Sequence, residues 1–243
     1  MHKDAEPRSF TMFKNPLITR VQPLTPRGLR VLVHVEGTEP FEVMLEALEG
    51  SRLGVGDPLP SDKKHALLNS DADIRVRDAA LNLISYRART RMELQRRLRQ
   101  KGFPPARIDL CLDWLGDRGF VDDAAVAASF VRDRLRHRPR GRARLSSELR
   151  AKGVHGDRAT QTIDQVFEDE GTDDTAIARA VAEKWVARQG TAVLAALATE
   201  GRSEKRDRAR RRLHGYLARR GFRSEALAAA TQLAIEAARA ESH

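Results

Sequence analysis

The chain has 243 residues, of which 41% are hydrophobic, 5% aromatic and 32% charged, and its formal net charge is +10. Cys111 is the only cysteine, which excludes an intrachain disulfide. No apolar run approaches the roughly 20 residues that span a bilayer, and no secretory signal opens the sequence. We therefore expect a soluble cytoplasmic protein, rich in helices because alanine, arginine, leucine and glutamate are frequent.

The positive charge is concentrated in the middle of the chain. Residues 75–154 hold 20 basic and 9 acidic side chains, a net charge of +11, whereas the segments before and after carry −2 and +1. Such an excess attracts polyanions through its long-range field and through counterion release. Nucleic acid, an acidic protein surface and a membrane surface are all compatible with the charge alone.

The first part of the chain predicts a tail, a small β-rich module and a linker. Residues 1–16 show no periodicity and are interpreted as a flexible tail. Alternating apolar residues in 17–60 predict two strands around a turn at 23–28, then a third strand and a short helix. The polar segment 61–73 is interpreted as a linker before the helical part of the chain.

One pattern occurs three times after this linker. Two leucines four residues apart are followed by a basic residue and a glycine, and the pattern recurs after 51 residues and again after a further 68. The leucines predict an apolar helix stripe, and the glycine predicts the left-handed residue that ends the helix. The positions are Leu94, Leu98, Lys101 and Gly102; Leu145, Leu149, Lys152 and Gly153; and Leu213, Leu217, Arg220 and Gly221.

The pattern predicts three repeats of three helices each, at 74–121, 122–172 and 173–243. A lead helix precedes each leucine helix, and a third helix follows it. Because one such unit cannot bury all its apolar faces alone, the repeats are expected to stack. The fold class predicted is mainly α, with tandem three-helix repeats in an elongated curved array and a small β-rich N-terminal module.

Polar residues at the predicted helix starts suggest caps. Thr90 and Glu93 have the spacing of a capping box before the first leucine helix. Aspartate pairs open the lead helices of the second and third repeats, where a carboxylate caps free amide groups and interacts well with the helix dipole. We prefer this interpretation to paired catalytic carboxylates. The pairs are Asp122 with Asp123 and Asp173 with Asp174.

The sequence offers no pattern for catalysis or for a cofactor. Its seven histidines are scattered without metal-ligand spacing. A nucleophile elbow, a phosphate-loop lysine and a dinucleotide fingerprint are all missing. Cys111 lies on a predicted apolar stripe and is expected to be a buried structural thiol. We therefore expect a protein that is not an enzyme and that uses neither a metal nor a cofactor.

Arginines at alternate positions surround Pro139 and Gly141. Alternate side chains point about 200° apart on a helix but to one side of an extended chain, so the row meets one surface only if the chain unwinds near Pro139. A guanidinium binds carboxylate or phosphate through two hydrogen bonds. The alternative is a solvated basic face. The predicted binding residues are Arg132, Arg134, Arg136, Arg138, Arg140, Arg142 and Arg144, with Lys101 and Lys152.

A second basic cluster lies in the third repeat and is diluted by Glu204 and Asp207. It is equally compatible with a secondary binding surface and with an ordinary solvated helix face. Its members are Arg206, Arg208, Arg210, Arg211 and Arg212.

Three segments carry a resemblance to a known family: "GFVDDAAVAASFVRDR" at 119–134, "RGRARLSSELRAKGV" at 140–154 and "LARRGF" at 217–222. Together with the repeated helix endings, they resemble the RecX family of recombination regulators over about 76–238. The resemblance implies an all-helical repeat protein that binds the RecA filament on single-stranded DNA and inhibits its recombinase, ATPase and coprotease activities during DNA repair and the SOS response.

With this resemblance, the basic residues named above are the predicted contacts to RecA or DNA, and we expect a monomer. It leaves open whether single-stranded DNA is contacted directly, and whether inhibition works by capping the filament or by bridging its groove. A general nucleic-acid-binding helical repeat protein is the main alternative, and a scaffold that recognises other helices is a third.

Overall fold

The computed structural model describes residues 15–24, 26, 28–201 and 203–240. The tail predicted at 1–16 therefore falls, except for its last two residues, outside the described residues. The N-terminal module is a three-stranded antiparallel sheet in the order β1-β2-β3, followed by a short helix, as predicted. Its elements are β1 (Ile18–Pro23), β2 (Arg30–Val35), β3 (Phe41–Met44) and α1 (Leu45–Gly50).

The segment 61–73 is helical, so its interpretation as a linker is wrong. It forms the first half of a 26-residue helix, α2 (Ser61–Tyr86). Leu67 and Ile74, seven residues apart, are buried in the same apolar core as the sheet residues. Only a few apolar side chains anchor this half of α2 to the core. Because the rest of the segment is polar, its sequence resembles that of a linker.

Nine further helices follow in the described part of the chain, and the predicted sets of three can be recognised among them. The first set is α2, α3 and α4; the second is α5, α6 and α7; the third is α8, α10 and α11, with α9 as an added helix. They are α3 (Arg91–Gln100), α4 (Pro105–Asp117), α5 (Asp123–His137), α6 (Arg142–Ala151), α7 (Gly156–Asp169), α8 (Asp174–Val186), α9 (Thr191–Ala198), α10 (Glu204–Arg219) and α11 (Ser224–Ala240).

The three predicted glycine caps are confirmed. Gly102, Gly153 and Gly221 have φ angles of +87°, +91° and +88°, which side chains other than glycine rarely adopt. In each case the amide of the next residue donates to the carbonyl of the second leucine, the six-to-one hydrogen bond of a Schellman motif. The pairs are Phe103 to Leu98 at 3.2 Å, Val154 to Leu149 at 3.0 Å and Phe222 to Leu217 at 3.4 Å.

The predicted capping box at the start of α3 is also confirmed. The Glu93 amide donates to the Thr90 hydroxyl at 3.2 Å, and the Thr90 amide donates to the Glu93 carboxylate at 3.3 Å. Asp122 and Asp173 cap α5 and α8 by accepting from amides three residues later, at 2.9 and 2.7 Å. Local sequence signals therefore predicted the helix starts as well as the helix ends.

The described chain forms two compact units. Among the described residues, the first contains those within 15–86 and 98–114, and the second contains those within 87–97 and 115–240, so the division runs through α3. The second unit has two apolar cores, one for each of its repeats. The second-repeat core includes Val131, Leu145, Leu149, Ile163 and Phe167, and the third-repeat core includes Trp185, Leu213, Leu217, Phe222 and Ile235.

None of the helices in the described ranges is long and apolar enough to cross a membrane.

Candidate polyanion-binding surface

The arginine row is interrupted where the sequence predicted. α5 ends at His137, and Arg138 leaves helical geometry with φ −143° and ψ 69°. α6 begins at Arg142, so Pro139 lies in a short extended turn. The row therefore divides into arginines on α5, arginines in the turn and arginines on α6.

Five of the seven arginines form ion pairs within the second repeat. Four of the five pairs join residues 14 or more positions apart, with carboxylates on α6, on α7 or directly after α7; the fifth, Arg144 with Glu148, lies within α6. A guanidinium that already holds a carboxylate is less available to an external partner. The pairs are Arg132 with Asp169 at 2.7 Å, Arg134 with Glu148 at 2.8 Å, Arg136 with Glu170 at 3.4 Å, Arg142 with Asp164, and Arg144 with Glu148 at 2.9 Å.

The remaining two, Arg138 and Arg140, line a cleft of about 410 Å³ in the second unit. The turn between α5 and α6 forms one wall, and residues of α8 and α10 and of the turns that end them form the other. Among the described residues, no carboxylate lines this cleft. The cations around it are Arg136, Arg138, Arg140, Lys184, Arg188 and Arg220, and the other lining residues are His137, Pro139, Val181 and Tyr216. We call this feature the basic cleft.

Arg220 is the most constrained of these cations. Its guanidinium lies over the Tyr216 ring, with 3.8 Å to the ring centroid. Burial lowers the pKa of Arg220; Tyr216 opposes that shift, and the charges of Arg140 and Arg188 add to it. The Arg140 Nε is buried and has no hydrogen-bond partner in the described structure. The basic cleft thus holds positive charges that repel one another.

A close backbone contact holds the two walls of the basic cleft together. The Gly141 amide donates to the Arg220 carbonyl at 2.9 Å. A Cβ atom at position 141 would lie 2.5 Å from the Gly221 carbonyl oxygen and 2.9 Å from the Phe222 ring. Only glycine fits this approach, and the contact places Arg140 and Arg220 in one cleft.

The two predicted lysines lie elsewhere. Lys152 donates to the Glu93 carboxylate at 2.8 Å and is only 22% exposed, so it serves the packing of the repeats. Lys101 is exposed and borders a separate groove in the first unit, next to Tyr86 and Phe103. The structure does not bring either lysine to the basic cleft.

The second basic cluster is spread around α10 and is not collected on one face. Arg208 pairs with Glu204 at 3.0 Å, and Arg206 donates to the Gly201 carbonyl. Arg210 borders another cleft, next to His214. Arg211 and Arg212 are exposed.

Sequence reasoning missed four residues of the basic cleft: Lys184, Arg188, Tyr216 and Arg220. Arg220 was recognised only as the basic residue before a capping glycine, and the other three had no motif. One signal was available in the alignment of the repeats, because Arg144 occupies the place of Glu93. The second repeat therefore lacks an acidic residue at the position where Glu93 neutralises Arg87 and Lys152.

These features define a class of protein: a helical tandem-repeat protein with a basic cleft between its second and third repeats. Family models for the first and second three-helix domains of RecX match residues 77–115 and 122–163. The regulatory protein RecX of Halorhodospira halophila is 37% identical over 161 residues, which cover 66% of this chain and 89% of the relative. The Mycobacterium avium protein is 35% identical over 167 residues, covering 69% and 88%. The chain belongs to the RecX family.

Two solved structures share the fold. A crystal structure of regulatory protein RecX matches with a TM-score of 0.66 at 21% identity, covering 89% of this chain and 99% of that chain. RecX from Lactobacillus salivarius matches with a TM-score of 0.53 at 22% identity, covering 67% and 96%. The mainly helical fold with tandem three-helix domains is thereby confirmed, and the family models and relatives confirm the resemblance noted in the sequence.

Proposed function

We propose that this RecX-family regulator binds the RecA filament on single-stranded DNA in the cytoplasm and inhibits its recombinase, ATPase and coprotease activities. The observation that carries the proposal is the basic cleft, whose cations have no carboxylate among them. A nucleoprotein filament offers both phosphates and acidic side chains, the two groups that a guanidinium binds through paired hydrogen bonds. In this proposal the protein acts by binding alone, without catalysis.

In this proposal the chain acts as a monomer and regulates by binding along the filament. Tandem repeats offer several contact sites on one chain, so several weak contacts can act on more than one RecA protomer at once. Holding neighbouring protomers together would hinder the subunit movements that ATP turnover and strand exchange require. Binding at a filament end would instead stop filament growth, and both modes use the same positive surface.

The test is a RecA strand-exchange reaction with added protein. We expect the native chain to inhibit, and a double variant, Arg138→Ala with Arg140→Ala, to lose most of the inhibition. Neither arginine has an ion-pair partner within the described residues, so the double variant should fold normally. The matched control is Arg179→Ala with Arg158→Ala, which removes the same charge from exposed positions outside the basic cleft. Absence of inhibition by the native chain at about tenfold excess would contradict the proposal.

A general nucleic-acid-binding repeat protein is the second candidate, favoured by the exposure of Arg138 and of Arg211 and Arg212 on α10. It predicts tight binding to bare DNA that weakens steeply with salt, because binding releases counterions. A pull-down at raised salt separates the two candidates. Retention on RecA filaments but not on free DNA supports the regulator, and equal loss from both supports the alternative.

A further inference from the structure

The second unit contains two equivalent contacts between repeats. The first junction joins the start of α3 to the second repeat: the Thr90 hydroxyl donates to the Lys152 carbonyl at 2.6 Å. The second junction joins the start of α6 to the third repeat: the Gly141 amide donates to the Arg220 carbonyl at 2.9 Å. Aligning the repeats places Thr90 opposite Gly141 and Lys152 opposite Arg220, so the two junctions can be compared residue by residue.

The two junctions differ in the residue that lies between their cations. At the first junction, Glu93 is only 9% exposed in its side chain and accepts from Arg87 at 3.2 Å and from Lys152 at 2.8 Å. The equivalents of Arg87 and Lys152 at the second junction are Arg138 and Arg220. The equivalent of Glu93 is Arg144, which pairs with Glu148 on its own helix. A carboxylate therefore lies between the two cations at the first junction, and an arginine takes its position in the sequence at the second.

We propose that the basic cleft at the second junction is a binding site for phosphate oxoanions. A bound phosphate would take the place that the Glu93 carboxylate has at the first junction. It would accept hydrogen bonds from Arg138 and Arg140 on one wall and from Lys184, Arg188 and Arg220 on the other.

The chemistry of the lining favours phosphate. Guanidinium groups bind its oxygens through two parallel hydrogen bonds, and four of the six cations are arginines outside any carboxylate pair within the described residues. The buried Arg140 Nε is a donor that a ligand oxygen could satisfy. An anion would also relieve the mutual repulsion that helps to lower the pKa of Arg220.

The same chemistry has two sources. One is the backbone of single-stranded nucleic acid, which presents successive phosphates; this assignment rests on the proposed function and gives the regulator a direct contact to DNA. The other is a free oligophosphate, such as the phosphate tail of a nucleotide, which would make the second junction an effector site. Both need the same cations, and the experiment distinguishes them.

The first experiment measures binding of inorganic tripolyphosphate to the full chain by calorimetry at low salt. We expect Arg140→Gln and Arg188→Gln each to weaken the affinity by about tenfold, because each removes a charge-assisted hydrogen bond. The control is Arg179→Gln, an exposed position on α8, the helix that carries Lys184, with an expected change of less than about twofold. Thermal unfolding of each variant verifies that it is folded.

Equal affinities for the native chain, the two cleft variants and the control would overturn the site, as would no binding of tripolyphosphate to the native chain. The second experiment adds a labelled single-stranded oligonucleotide. The site is assigned to the nucleic-acid backbone if tripolyphosphate displaces the oligonucleotide and if Arg140→Gln lowers, by about one unit, the slope of log oligonucleotide affinity against log salt concentration. Tripolyphosphate binding that the oligonucleotide does not affect assigns it to a free oligophosphate.

The two proposals fail separately. If the chain inhibits RecA but binds no tripolyphosphate, the oxoanion site is refuted and the proposed function stands. If the chain binds tripolyphosphate in the cleft but leaves RecA strand exchange unchanged, the site stands and the proposed function is refuted.

Discussion

The two junctions share the positions of their hydrogen bonds and differ in their charge. At each junction the first amide of the leucine helix donates to an aspartate at the start of the next repeat: Arg91 to Asp123 at 2.7 Å and Arg142 to Asp174 at 3.1 Å. The second aspartate of each pair therefore caps a helix of the preceding repeat. The first junction neutralises its cations with Glu93, whereas the second leaves them without a counter-charge. The contacts common to both junctions hold the repeats together, and the position that differs creates the candidate site.

The largest expected effect tests the shared part of this comparison. A Cβ atom at Gly153 would lie 2.5 Å from the Met92 Cβ, whereas one at Gly102 would have no neighbour within 4 Å. Both glycines have positive φ angles, so Gly102→Ala should cost about 1 kcal/mol and Gly153→Ala about 3 kcal/mol in free energy of unfolding. Chemical denaturation of the two variants measures the difference. Equal losses would show that the close approach at the first junction contributes nothing.

A second prediction concerns the carboxylate at the first junction. Burial disfavours the ionised form of Glu93, but hydrogen bonds from Arg87 and Lys152 outweigh it and lower the pKa of Glu93 from 4.5 to about 2. The stabilisation is thus complete above pH 4.5 and is lost as the pH falls towards 2. Glu93→Gln should destabilise the native chain by about 2 kcal/mol at pH 7 and flatten the pH dependence of its stability between pH 4.5 and 2.

The control for that prediction is Glu204→Gln, which removes an exposed carboxylate paired with Arg208. Exposed pairs contribute little, so the control should change the free energy of unfolding by less than about 0.5 kcal/mol. An unchanged acid-unfolding curve in Glu93→Gln would contradict the ion-pair assignment.

A third prediction concerns a substitution that gives the second junction the carboxylate of the first. Arg144→Glu places a carboxylate at the position equivalent to Glu93, within reach of Arg138 and Arg220 by the correspondence of the repeats. We expect tripolyphosphate affinity to fall by about tenfold, equivalent to about 1.4 kcal/mol, because the internal anion competes for the same cations. Calorimetry with Arg144→Gln as the neutral control separates competition from simple loss of the arginine. Equal affinities of the two variants would contradict the equivalence of the junctions.

The smallest expected effect on stability concerns Asp123 and Asp174, which accept hydrogen bonds from the first amides of α3 and α6. Asp123→Ala and Asp174→Ala should each reduce the free energy of unfolding by about 1 kcal/mol, the typical value of a side-chain cap on a helix amide. Thermal melts measure both losses. Because the contact recurs at each junction, similar losses are expected, and a neutral result at either position would show that water replaces that cap.

The fold was predictable where the signal is local. A glycine after a basic turn, a threonine three residues before a glutamate, and a proline in an arginine row each specify backbone geometry within one helix turn, and all three were confirmed. The helical nature of 61–73 was missed because Leu67 and Ile74 are buried against sheet residues far away in sequence. The candidate site was predicted only in part: Arg136, Arg138 and Arg140 were named, but the cations of the opposite wall were not.

By itself, the sequence determined the repeats, their helix ends and the excess of positive charge in the middle of the chain. Only the tertiary structure decided which of those charges are neutralised. Arg132 pairs with Asp169, 37 residues away, while Arg140 lies in a cleft with Arg220 and no carboxylate. The physical reason is that the interaction of two charges depends on their separation and burial, and neither quantity is specified by positions along the chain.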